Sequence, residues 1–133
     1  MMNMETLKMT VKYGRSTKEV NVPLPVPGSL GTMYVGTDRY MVVCNSVHSN
    51  KRCSVVVIYN INKEKDVTKG DDGYEYLKPE VMDAVLANPT SHGDMLEYSL
   101  RKNGTWHVVG QPMMPGCRTV KFGEGDEFRD PEF

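Results

Sequence analysis

A chain of 133 residues is the length of one ordinary domain, able to bury a core without disulfide or metal staples. Its 16 basic and 17 acidic residues nearly cancel, which excludes a global field that would drive it onto nucleic acid or membrane. The three cysteines, Cys44, Cys53 and Cys117, are too few and oddly numbered for a disulfide framework.

The N-terminal MMNMETLKMTVK holds no apolar signal core, and no run approaches membrane-spanning length. A reducing, cytoplasmic setting with reduced thiols, no cofactor, no metal and no membrane is expected. The body spans residues 1–123 as one domain. Residues 124–133 form an acidic tail, with Glu124, Asp126, Glu127, Asp130 and Glu132 against Arg129 alone.

In chain order, Leu7, Met9, Val11 and Tyr13 alternate with Lys8, Thr10 and Lys12, the pattern of a half-buried strand. With Met1, Met2 and Met4 ahead of it, this strand offers an apolar edge for self-association. A turn at 14–17 and a second short strand at 18–22 complete a hairpin. Pro23, Pro25, Pro27 and Gly28 then forbid a helix and carry the chain across in extended form. A strand at 32–36 follows.

The stretch YMVVCNSVHSNKRCSVVVIYNI, residues 40–61, is the centre of the chain. Its β-branched runs read as strands, and the polar residues 45–52 between them read as a loop. CSVVVIYNI is apolar on both alternating faces, so this strand should be covered on both sides. The charged 62–73 reads as a solvated loop.

Residues 79–87, PEVMDAVLA, are the one convincing helix, with proline at its first position and an apolar stripe of Val81, Val85 and Leu86. At this length it is expected to plug an end of a sheet or barrel. Asn103-Gly104 then signals a hairpin. A two-residue turn sets Arg101 opposite Trp106 and Leu100 opposite His107, leaving Trp106 on the more polar face. A last strand runs over 118–122.

The fold class is mainly β, a β-rich α+β domain: an antiparallel barrel or sandwich of about six to eight strands with one short helix. Three strand groups, a helix and two more groups follow the order of an oligonucleotide-binding (OB) type barrel.

Candidate chemistry is sparse. Cys44, His48 and Cys53 are zinc-type ligands without the paired spacing of a structural site, and a fourth ligand would come from Cys117, His92 or His107. Ser91, His92 and Asp94 mimic a triad compressed into one turn, whereas triads assemble from distant positions. Asp66, Asp71, Asp72 and Glu75 lack the calcium-loop spacing. Not being an enzyme is the expectation.

Two readings remain. In the first, the chain is a non-catalytic interaction module, an inhibitor or structural subunit that binds a protein partner or itself through its β-domain surface. In the second, it binds single-stranded nucleic acid. Trp106 beside Arg101 and Lys102 is then a stacking platform, with Tyr40, Arg39, Lys51 and Arg52 extending it. The tail DEFRDPEF resembles the acidic, aromatic-ended tails of single-stranded DNA-binding proteins, which implies docking through Phe128 and Phe133. The exposure of Trp106 separates the two readings: exposed in a basic groove it favours the second, buried the first.

Overall fold

The computed structural model of the chain describes residues 5–58, 64–65, 74–110, 117–123, 125 and 127–128. Its centre is a closed antiparallel barrel of six strands: β3 (Leu30–Val35), β4 (Asp38–Ser49), β5 (Arg52–Ile58), β8 (Gly93–Leu100), β9 (Trp106–Val108) and β10 (Cys117–Phe122). The strands pair in chain order, and β3 closes on β10 through Met33 opposite Val120. This sequential order departs from the OB arrangement, which is a five-stranded Greek key.

Alternation along these strands sends Met33, Val42, Cys44, Cys53, Val55, Val57, Tyr98, Leu100, Trp106, Val108, Val120 and Phe122 into the barrel. The doubly apolar strand behaves as its pattern predicts. Val55 and Val57 point inward, while Val56 and Ile58 join an outer cluster with Met41, Val43, Leu77 and Val85.

That outer cluster is where the helix sits. Helix α1 (Pro79–Ala87) lays Val81, Met82 and Val85 against the outside of β4 and β5 and leaves Leu86 exposed. The expectation of a plugged end is corrected. The outer faces of β4 and β5 are apolar and would stay wet if the helix moved to an end.

The barrel end is instead covered by the separate hairpin of β1 (Thr6–Tyr13) and β2 (Ser16–Pro23), whose Leu7, Met9, Val20 and Val22 pack on the inner core. Met1, Met2 and Met4 lie outside the described residues.

The polar residues 45–52, expected as a loop, continue β4 and β5 to a turn at Asn50 and Lys51. Two register shifts in the β4–β5 ladder let these strands run past the core, where His48 bonds Glu97 at 3.2 Å in the open. Of residues 62–73, Glu64 and Lys65 form β6, paired with β7 (Tyr74–Tyr76), and the others lie outside the described residues. Within the expected tail, β11 (Glu127–Phe128) pairs with Arg39 of β4 and with Tyr74 and Glu75 of β7. Phe133 lies outside the described residues.

The register shift between Cys117 and Thr119 places Arg118 at φ 51°, a left-handed conformation that costs a side-chain-bearing residue about 1–2 kcal/mol. The turned carbonyl accepts the Tyr98 hydroxyl at 2.8 Å inside the wall. Arg118→Gly is expected to stabilise the protein by at most about 1 kcal/mol, because the entropy of an added glycine offsets part of the relief. Arg118→Val should cost at least about 1 kcal/mol, a β-branched residue being worst placed at positive φ. Urea denaturation of the two variants checks both signs.

Candidate protein-binding groove

The site is built from a turn that differs from the sequence expectation. Leu100 lies opposite Trp106, Ser99 opposite His107 and Tyr98 opposite Val108. Gly104 has φ 81° and donates its N–H to the Arg101 carbonyl at 3.0 Å, while Arg101 N–H bonds the Thr105 carbonyl at 3.0 Å. The loop is therefore Lys102–Asn103–Gly104, a three-residue turn with glycine at its left-handed end, rather than a two-residue Asn-Gly turn. Lengthening the loop by one shifts the register by one, and every side chain after it changes face.

Trp106 accordingly moves from the polar face into the barrel. It is 2% exposed, with its ring edge-on to Phe122 at 5.6 Å between centroids. The expected stacking platform is thus buried, with no indole face open to a base.

The glycine of this turn is also a footing. A Cβ on Gly104 would lie 3.4 to 3.6 Å from methyl groups of Val20, Val11 and Val22, so the β1–β2 hairpin stands on the turn. Beside it, between β2 and β10, opens a groove of about 380 Å³, within the usual range for ligand sites. Its apolar lining includes Trp106, Phe122, Val120 and Tyr34, and Lys121 is the one charged residue among the described residues that line it.

Val20, Asn21, Val22 and Pro23 all line it. Four consecutive strand residues can border one groove only if the edge of β2, not a face, looks into it. The ladder says which groups lie on that edge. Leu24 N–H bonds the Glu5 carbonyl at 2.7 Å, and Val22 opposite Leu7 and Val20 opposite Met9 continue the same alternation. Glu19, Asn21 and Pro23 are then the residues whose backbone groups turn away from β1. Pro23, which has no N–H, falls on that outward side and costs the hairpin no bond.

The outer side of the turn carries a short polar chain. Thr105 N–H and Thr105 Oγ1–H both donate to Asn103 Oδ1, at 3.1 and 2.6 Å, which fixes the amide orientation. The Thr105 hydroxyl therefore receives its second bond from His107, whose Nε2 carries the proton at 2.6 Å. His107 Nδ1 is left buried without a donor among the described residues.

Burial, and then the Arg101 charge, push the His107 pKa below its ordinary 6.5. As pH falls through 6.5 the unfolded chain takes up this proton before the folded one does, so stability falls with pH until the folded group also titrates. A melting temperature that drops below about pH 6.5, with the drop flattened in His107→Gln, is the expected result.

The other expected site residues divide into two places. Lys51, Arg52, Arg101 and Lys102 gather at the β4–β5 turn and the end of β8: Lys51 carbonyl accepts from Leu100, Arg52 pairs with Ser99, and Arg101 Nε donates to Ser99 Oγ at 2.9 Å. Arg39 lies apart from them, over the Tyr34 ring at 5.6 Å, and Tyr40 turns toward the inner core.

Cys44 and Cys53 are buried inside the wall while His48 is exposed beyond it, so the three do not converge. Among the described residues no group of three or more metal-ligating side chains forms. A hydrogen bond to Cys44, followed by burial, raises the Cys53 pKa and keeps its thiol protonated. Ser91 donates its hydroxyl to the Asn88 carbonyl at 2.9 Å.

Reading the sequence missed Asn21, Lys121 and Phe122. They come from separate segments, and no local pattern marks them as neighbours. No helix among the described residues is long and apolar enough to cross a membrane. Compared with protein-family models, curated proteins and solved structures, the chain matches none.

Proposed function

We propose that this chain is a non-catalytic protein-interaction module that works through the groove beside β2. The observation that carries the reading is an edge of β2 that has no strand partner among the described residues and borders an apolar groove, beside a barrel whose own long strands are paired on both sides. Burial of Trp106 supports it further, because the indole packs the core and offers no platform for a nucleic-acid base. Two buried, free thiols suit a reducing, cytoplasmic setting. The partner is another protein or a second copy of the chain.

A photo-crosslinking residue at position 21, with one at position 52 as a control on the cationic end, tests this in the native host. Protease-sensitive, nuclease-resistant adducts from position 21 are expected, and an adduct of twice the chain mass identifies self-association. Nuclease-sensitive adducts from position 52, with none from 21, would instead favour single-stranded nucleic acid.

A further inference from the structure

We infer that the groove takes an extended peptide segment carrying a carboxylate, which adds to β2 as a third strand. The inference rests on the interaction-module reading and names its partner. Three observations converge on it.

The first is the backbone. Asn21 turns both its N–H and its C=O outward, and Pro23 turns out a C=O. An antiparallel segment with one residue opposite Asn21 makes two bonds there. Its residue opposite Pro23 donates a third. The missing proline N–H ends the pairing on that side, which fixes the register of the added strand.

The second is the floor. Alternate side chains of an added strand face the barrel, where Trp106 and Phe122 line the groove.

The third is charge. Lys121 is exposed and is the one charged residue among the described residues of the lining. A cation with no carboxylate among the described lining residues complements an acidic segment and disfavours a basic one. The opposite edge of the hairpin differs: the groove along Met9–Lys12 is flanked by Lys12 and Lys102, the residues proteins use to guard an edge.

The test is selection of a displayed random octapeptide library on the full chain, followed by synthesis of the enriched peptides. Enrichment of alternating apolar sequences with Asp or Glu is expected. N-methylation at one of two alternate positions should weaken binding at least tenfold, since it removes a strand donor, whereas methylation at the position between them should not.

Asn21→Pro should lose binding to a similar extent, because the N–H it deletes serves no bond within the hairpin. Lys121→Glu, on the exposed face, should turn the preference toward basic peptides. Enriched peptides that are indifferent to N-methylation and to Lys121→Glu would overturn the added strand while leaving an interaction module with another surface. No enrichment above an empty support would overturn both readings.

Discussion

Trp106→Ala is expected to lower the unfolding free energy by about 3–5 kcal/mol, the usual loss for deleting a large core aromatic. A domain of this size has only about 5–15 kcal/mol in total, so the variant should be close to unfolding at ambient temperature. The effect is large because Trp106 joins two parts of the structure. Its ring packs edge-on against Phe122 of β10, and it belongs to the inner cluster on which the hairpin residue Val22 also rests.

Trp106→Phe keeps most of that apolar volume and removes an N–H that has no acceptor among the described residues, so it should cost less than about 1.5 kcal/mol. Circular dichroism must follow both variants, because the chain has one tryptophan and its fluorescence goes with it. If Trp106→Ala were as stable as the wild type and only lost oligonucleotide binding, the surface-platform reading would return and the register described above would be wrong.

A second severe effect is expected at Gly93, the first residue of β8. A Cβ there would lie 1.7 Å from the Val57 carbonyl oxygen and 2.7 Å from its carbon. Both atoms are backbone, so no side chain can swing aside. Gly93 pairs with Ile58 where the chain rejoins the barrel after the helix, and β5 and β8 must part for any larger residue. Gly93→Ala should cost about 3 kcal/mol, the upper end for overpacking. Hydrogen exchange should show the loss first in amides of the β5–β8 ladder. Unchanged protection there would mean that the two strands are held farther apart than described.

How far the sequence could be read depends on the range of each signal. The helix at 79–87 was legible because proline, acid and stop signals all lie within ten residues. The strand 52–58 was legible as doubly covered because Val55, Val56, Val57 and Ile58 leave no polar face. What covers each side was not legible, since Val85 and Trp106 meet those faces only through the tertiary fold.

Asn103-Gly104 shows the limit of a strong local signal. The dipeptide predicts a turn correctly, yet a two-residue and a three-residue loop are both open to it. The one-residue difference decides whether Trp106 or His107 joins Leu100 on the inward face. The groove is less legible still. It joins residues near 21, 104 and 121, and its central feature is a backbone edge that side chains do not encode.

Because the barrel strands follow one another in the chain, most of their ladders can form between near neighbours. The exceptions are β5 with β8, which pair across the helix-bearing segment, and, farthest apart, the closing pair of β3 and β10, which come from opposite ends of the barrel sequence. Closing that seam carries the largest loop-entropy cost, so it should be the late, slow event of folding and the first to give way in unfolding. β10 is also one wall of the groove. A strand bound between β2 and β10 would brace the seam from outside, and the bound protein would outlast the free one chiefly by unfolding more slowly.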